Sequence, residues 1–319
     1  VVGRSSRPPA GWPEPTESTI DVGKIELGAL IYQPPTAGAG SAPATVILLH
    51  GWADSAWSMD SVAQPLTDGH RVIGLDLRGH GRSGRGPYNM LHFVGDLRSV
   101  VEELDVDDPI IVGHSLGGQI AAQFCGLFPE VPRALVMIEG VGPPPHRLAG
   151  EDPDLMERTS TRKHVERTRA PSRTRRLASI EDAAARLRQS HPLLDPARAM
   201  MLAERNTVAV DGGQFEWRFD PESRDWFNGH HHDVAAQRWR GITCPVLVVN
   251  GADSHQRYWR FISDDPDDYP IPLAGPALEE RLSHFADVRY AEIPGAGHML
   301  PYDKPDELNV EIARFLAGL

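Results

Sequence analysis

The sequence predicts an α/β protein, a mainly parallel sheet with helices on both faces, interrupted by one helical insertion. Three observations predict it. Short, wholly apolar runs such as "TVILLH" at 45–50, "PIIVG" at 109–113 and "PVLVVNG" at 245–251 have the make-up of strands covered on both faces. Amphipathic runs alternate with them at the spacing that parallel crossovers need. Between residues 143 and 240 that alternation stops, and it resumes afterwards.

The elements follow in order. Residues 1–17, "VVGRSSRPPAGWPEPTE", are polar and proline-rich and read as a flexible tail without the apolar centre of a signal peptide. "TIDVGKIELGALIYQ" shows apolar alternation broken by glycine, which predicts two short strands joined by a turn. "TVILLH" is a buried strand, and "RVIGLDLRGHGRS" is another that runs into a glycine-rich loop. "LHFVGDLRSVVEEL" at 91–104 has helical periodicity. "IIVG" is a strand, "LGGQIAAQFCGLF" a helix ended by Pro129, and "RALVMIEG" a strand again. The insertion starts at "GPPP" and continues with polar, arginine-rich sequence. At ~100 residues it exceeds any ordinary loop, which predicts helices of its own and a seat as a lid. "PVLVVNG", "GPALEERLSHF", "ADVRYAEIPG" and "PDELNVEIARFL" then read as strand, helix, strand and helix. The division is therefore a core over 18–142 and 241–319, with the lid over 143–240.

Bulk properties narrow the function. The chain has 319 residues, 40% hydrophobic, and a net charge of -12 from 32 Lys+Arg against 44 Asp+Glu. That balance argues against non-specific nucleic-acid binding. Two distant cysteines, Cys125 and Cys244, write neither a disulfide framework nor a zinc cluster. No apolar run approaches the ~18 residues of a membrane span, so a cytoplasmic protein without membrane or nucleic-acid partners is the expectation. The acidic run "SDDPDDYP" at 263–270 reads as a solvated loop, and the arginines of 157–176 as a solvated helix face.

The chemistry centres on Gly113-His114-Ser115-Leu116-Gly117. A sharp strand-to-helix turn holds the central residue in a strained backbone geometry, and small neighbours are needed because the turn is crowded. Ser115 then stands out above the sheet edge as a nucleophile, and the first turn of the following helix offers free N–H groups where an oxyanion forms. A nucleophilic serine needs a base. Of the 14 histidines, His298 in "IPGAGHMLPYDKP" fits, on a loop between the last strand and the last helix. "LLHGW" leaves the N–H of Trp52 free, and with that of Leu116 it makes a two-donor oxyanion hole, each donor worth about 2.7–4 kcal/mol. His230, His231 and His232 are adjacent and cannot easily face one ion, so no metal site is expected. Trp52, Trp57, Phe215, Trp217, Trp226 and Phe227, with His114 beside the serine, are candidates to line a substrate pocket.

"LLHGW", "DLRGHGRS", "GHSLGG" and "PGAGHM", in this order and spacing, resemble the α/β-hydrolase fold superfamily over nearly the whole chain. Within it, "EGVGPPP" and "AERNTVAVDGGQFEWRFDP" are similar to the lid-bearing serine hydrolases: serine hydrolase-like proteins, bacterial esterases and carbon–carbon bond hydrolases. The resemblance implies a sheet of about eight strands, a lid over a pocket, and no cofactor. Serine rather than aspartate at the elbow argues against dehalogenase and epoxide-hydrolase chemistry. The acid departs from the pattern. Relatives commonly place it three residues after the glycine ending the strand that follows the lid, and Gly251 plus three is Ser254. Two carboxylates therefore compete: Glu139, at the end of "ALVMIEG", which register favours, and Asp253, one position early in "NGADSH". "DLRGHGRS" reads as a structural loop, held by a charge pair between Asp76 and Arg78. The expected function is hydrolysis of a small-molecule ester, thioester or lactone. Carbon–carbon cleavage with the same residues and a non-catalytic ligand-binding role are the alternatives.

Overall fold

The computed structural model describes residues 13–34, 44–142, 162, 165–166, 175–227, 232–254 and 273–319. The acidic run at 263–270, His230, His231 and most of the arginine-rich stretch lie outside the described residues. The chain runs β1 (Thr16–Asp21), β2 (Glu26–Tyr32), β3 (Ala44–Leu49), a 3₁₀ turn (Ala56–Met59), α1 (Asp60–Leu66), β4 (His70–Leu75) and α2 (Met90–Glu103). It continues through β5 (Ile110–His114), α3 (Leu116–Leu127) and β6 (Ala134–Ile138). After an insert come β9 (Val246–Gly251) and the rest of the core. The insert comprises α4 (Ile180–Ser190), α5 (Pro196–Asn206), β7 (Thr207–Val210), β8 (Gln214–Trp217), a 3₁₀ segment (Pro221–Phe227) and α6 (His232–Trp239). The core closes with α7 (Pro276–Leu282), β10 (Val288–Ile293), α8 (Leu300–Asp303) and α9 (Pro305–Leu316).

The eight-stranded sheet has the order β1-β2-β4-β3-β5-β6-β9-β10. The β1–β2 and β2–β4 pairs are antiparallel and the others parallel. Central strands are buried along their whole length because both faces are covered, which explains their unbroken apolar sequence. The period of two sorts their side chains. Ile47, Leu49, Ile111, Leu135, Met137 and Val248 pack on α2 and α3. Val46, Leu48, Val112, Val136, Ile138 and Val249 pack on α1 and α9. Each such side chain contributes about 1.5–3 kcal/mol on burial.

Parallel pairing sets the carboxyl ends of β3, β5, β6, β9 and β10 along one edge. The insert has its own apolar cluster of Leu177, Ala183, Leu194, Ala199, Leu202 and Ala203, which takes in Tyr302 and packs against Trp57 and Met299 from the core. It therefore sits at the same edge as those strand ends. Its helices are capped as their sequences dictate: Ser179 Oγ accepts from the Asp182 N–H at 3.2 Å, and Asp195 from the Arg198 N–H at 3.0 Å.

Three expectations need correction. The insert is not helical throughout, because β7 and β8 form an antiparallel hairpin. Its turn, Asp211-Gly212-Gly213, has φ +80° and +70° at the two glycines, the left-handed geometry a tight hairpin requires. Thr16 and Glu17, expected in the N-terminal tail, belong to β1 and pair with β2. Finally, Arg78 does not pair with Asp76. Its Nε and Nη2 donate to both oxygens of Asp96 on α2 at 2.6 Å, while Asp76 accepts backbone N–H groups of Ala56 (2.8 Å) and Arg82 (2.9 Å). Asp76 sits at the end of its strand where peptide N–H groups converge, and those satisfy it. Arg78, six per cent exposed, instead meets the carboxylate of the helix packed on it.

Candidate active site

Ser115 follows the last residue of β5 and precedes the first of α3, with φ +52° and ψ -114°. A non-glycine residue holds that conformation only when its surroundings enforce it. The enforcement is visible in the glycines. A Cβ on Gly113 would lie 2.3 Å from the Gly117 carbonyl oxygen, and one on Gly117 would lie 2.3 Å from the Leu49 carbonyl oxygen. Both flanking positions must be glycine for the turn to close. The Ser115 N–H donates to the Ile138 carbonyl (2.9 Å) and the Gly117 N–H to that of His50 (3.1 Å), so the turn is tied to both neighbouring strands.

Ser115 Oγ lies 2.9 Å from His298 Nε2, and His298 Nδ1 lies 3.1 Å from Glu139 Oε2. The carboxylate can only accept, so Nδ1 carries the proton, and Nε2 is left with a lone pair facing the serine hydroxyl. Glu139 stands at the end of β6 with φ +51°. Its Oε1 accepts the Gly251 N–H at 2.6 Å, and its Oε2 accepts the Ser254 hydroxyl at 2.7 Å. Ser254, three residues after Gly251, thus supplies a hydroxyl that supports the Glu139 carboxylate. Asp253 has its own peptide N–H bonded to the Ala296 carbonyl at 2.9 Å.

His298 is held from its backbone as well. His114 is buried, and its Nε2–H donates to the His298 carbonyl at 2.8 Å, the two rings tilted with centroids 5.2 Å apart. Burial, with the neighbouring His298, pushes the His114 imidazole down to about 3, so it stays neutral as a fixed donor. Asp303 Oδ2 accepts the Gly297 N–H at 2.7 Å and fixes the loop on the other side.

Opposite the serine, His50 follows β3 and is fully buried. The Leu77 N–H donates to its Nε2 (2.9 Å) and its Nδ1–H donates to the Gly51 carbonyl (2.6 Å). Gly51 leaves no room for a side chain, because a Cβ there would lie 2.9 Å from His114 Nδ1 and 3.3 Å from Ser115 Cβ. The next N–H is that of Trp52, and Leu116 opens α3. Among the described residues neither of these two N–H groups donates to a protein acceptor.

The aromatic candidates are dispersed. Trp52 is partly exposed; its Nε1–H donates to Ser223 Oγ of the insert at 3.0 Å, and its ring meets Phe219 edge-on at 5.7 Å. Trp57 packs at the seam between core and insert under the Arg205 guanidinium, 4.3 Å away. Trp217 and Phe215 lie on β8 against the insert's cluster, and Trp226 is buried with the α2–α3 layer. Tyr302, Asp54, Arg198 and His191 belong to no motif in the sequence. Tyr302 follows His298 by four residues and donates its hydroxyl to both oxygens of Asp54 at 2.9 and 2.7 Å. Burial pushes Asp54 up to about 6. His191, at the end of α4, meets Tyr302 edge-on at 5.4 Å, and burial followed by the charge of His298 pushes it down to about 4. Only the step of four residues from His298 to Tyr302 was a usable signal; the other three become neighbours of the site through the insert's packing.

Among the described residues no group of three or more His, Cys, Asp or Glu side chains has a metal-binding arrangement, and no helix is long and apolar enough to cross a membrane.

Comparison with known proteins points one way. The sequence model of the alpha/beta hydrolase family matches residues 46–311. A serine hydrolase-like protein of Danio rerio is 33% identical over 177 residues, 53% of this chain and 52% of that relative, so this match spans about half of it. A serine hydrolase-like protein of Mus musculus is 25% identical over 291 residues, 86% of this chain and 88% of that one. Among solved structures, the thioesterase domain from the curacin biosynthetic pathway superposes with a TM-score of 0.72 at 23% identity, covering 94% of this chain and 99% of its own. An esterase of M. tuberculosis superposes with a TM-score of 0.67 at 20% identity, covering 96% and 93%.

Proposed function

This chain belongs to the alpha/beta hydrolase family, and from that premise we propose that it is a serine hydrolase that cleaves a carboxylic ester, thioester or lactone through an acyl-enzyme on Ser115. One observation carries the reading: the unbroken relay from Ser115 Oγ to His298 to Glu139, with separations of 2.9 and 3.1 Å. The serine oxygen attacks the substrate carbonyl as its proton passes to His298 Nε2. Glu139 holds the ring in the required tautomer and stabilises the imidazolium. The negative oxygen of the tetrahedral intermediate takes the N–H groups of Trp52 and Leu116, two donors with no other acceptor among the described residues. His298 returns its proton to the leaving oxygen or sulfur, and the acyl group stays on Ser115. Water, deprotonated by the same imidazole, then releases the acid and restores the serine. No step needs a cofactor.

In this reading the insert is the lid, the partner is a small molecule, and Trp52 and Trp57 border the space between lid and serine. Related proteins described as an esterase, a thioesterase domain and a diacylglycerol lipase favour acyl transfer as the class. The test is a panel of p-nitrophenyl esters, a thioester and a lactone, with a 1,3-diketone as the carbon–carbon arm. Fluorophosphonate labelling runs alongside. Turnover and labelling that vanish together in Ser115→Ala are expected; full activity in Ser115→Ala overturns the mechanism.

A further inference from the structure

Residues 52–58 follow the Gly51 turn and carry the Trp52 N–H, and both the core and the insert hold them. The Ala53 N–H donates to His80 Nε2 at 3.1 Å and the Ala56 N–H to Asp76 Oδ1 at 2.8 Å, while Ala53 itself sits at φ +64°. The insert grips the same stretch three times. Trp52 Nε1 donates to Ser223 Oγ (3.0 Å), Ser55 Oγ to Asn206 Oδ1 (2.5 Å), and Arg198 Nη2 to the Ser58 carbonyl (3.0 Å). A strained segment held by another unit takes its geometry from that unit.

Arg198 differs from the other two anchors because it also reaches the loop of the base. Its guanidinium lies 5.8 Å from the ring centroid of Tyr302, whose hydroxyl is bonded to Asp54 on the gripped stretch. The charges of Asp60 and Asp54 and the hydroxyls of Tyr302 and Tyr32 surround it, and it makes no direct ion pair among the described residues. Its Nε is buried with no protein hydrogen-bond partner among the described residues. A buried guanidinium left one donor short is a poor device for stability alone, since hydrophobic replacements of buried charge are often neutral or stabilising. Its position is more informative. One lid side chain touches the loop that carries an oxyanion donor and the helix that follows His298.

We propose that Arg198 is a positioning residue for the hydrolytic reaction: by docking on Ser58 and on Tyr302, which itself binds Asp54, it makes the seating of the lid set the Trp52 N–H and the His298 loop. The inference rests on the Ser115 reading. When the insert is seated, the two halves of the site are held by one cation. When it lifts, the 52–58 stretch keeps its core contacts to His80, Asp76 and Tyr302 but loses the three from the insert, and the oxyanion donor loses part of its aim. Acyl transfer is thereby confined to the seated arrangement.

The experiment compares the parent with Arg198→Met, Arg198→Lys and Tyr302→Phe. It reads kcat and KM on the p-nitrophenyl ester the parent turns over, the rate of fluorophosphonate labelling, and Tm. Arg198→Met is expected to lower kcat and labelling about 10- to 100-fold, the scale of a small misplacement of reacting groups. KM should stay within about threefold, because ground-state contacts are not removed. Arg198→Lys should recover part of the loss, and Tyr302→Phe, which removes one oxygen, should move labelling in the same direction. Unchanged kcat and labelling with a lowered Tm overturn the proposal, as does a rise in KM alone, which would make Arg198 a substrate contact. If Arg198→Met does not fold, Tyr302→Phe decides. A parent that the probe does not label overturns the Ser115 reading and this one with it; a labelled parent with unaffected variants overturns only this one.

Discussion

Glu139 is held in a left-handed backbone conformation and accepts three hydrogen bonds, from His298, Gly251 and Ser254. A carboxylate suits that environment because it offers only acceptors to three donors. An amide does not, since its NH₂ would face at least one N–H or O–H and turn the imidazole to the wrong tautomer. Glu139→Gln should therefore lower kcat by about 10⁴ with the fold retained, and Asp253→Asn by far less; steady-state kinetics on one ester compares them directly. Equal losses, or the larger loss at Asp253, would transfer the role to Asp253. Legibility at this scale was uneven for a physical reason. Ser115 and its glycines are written in five consecutive residues because the turn is local. Glu139 meets His298 across 159 positions of sequence, a contact that register narrows to two carboxylates and only the fold brings together.

Among elements, the loop after β4 and helix α2 depend on one another through Arg78. Its paired bonds to Asp96 are buried on both sides, and its Nη1 also donates to the Pro87 carbonyl at 3.0 Å. Burial pushes Asp96 up while the Arg78 hydrogen bond and charge pull it down. Removing the cation leaves a carboxylate in a dry site. Arg78→Met is expected to lower unfolding free energy by roughly 3–5 kcal/mol, measured by urea denaturation, and Arg78→Met with Asp96→Leu to restore most of it. A small loss in the single variant would show that water reaches Asp96. The buried strands and the helices of the core were readable because periodicity and burial are element-scale properties. The hairpin β7–β8 was missed although "TVAVDGGQFEW" holds a diglycine between alternating residues, because arginine-rich helical sequence around it set the expectation. The partner of Arg78 was missed because Asp76, two residues away, satisfies itself on backbone N–H groups.

At the scale of the whole molecule, buried histidines decide how the protein meets acid. Burial pushes His80 and His191 down to about 4 and His114 to about 3, and lowers His50 well below its usual value. An unfolded histidine takes a proton near its ordinary value of about 6.5. The folded values lie lower, so stability is fully present above pH ~6.5 and is lost as pH falls toward about 4. Asp54 runs the other way: its folded value of about 6 lies above the ordinary carboxylate, so its contribution is present below pH ~3.8 and lost as pH rises through 6. Asp76 and Asp96 are raised by burial and act in the same sense as Asp54. Across the window from about 6.5 down to 5 the histidines dominate, because the unfolded chain gains those protons first, each worth about 1.4 kcal/mol per pH unit. Urea denaturation at about pH 7, 6 and 5 should show stability falling at each step. His80→Gln, which removes a buried imidazole held by Ala53 N–H and the Arg78 carbonyl, should be less stable at pH ~7 and show a slope shallower by about one proton. Stability that is flat or rises between pH ~7 and ~5, or a His80→Gln slope equal to the parent's, would mean that these imidazoles take up protons in the folded state and are not sealed from water.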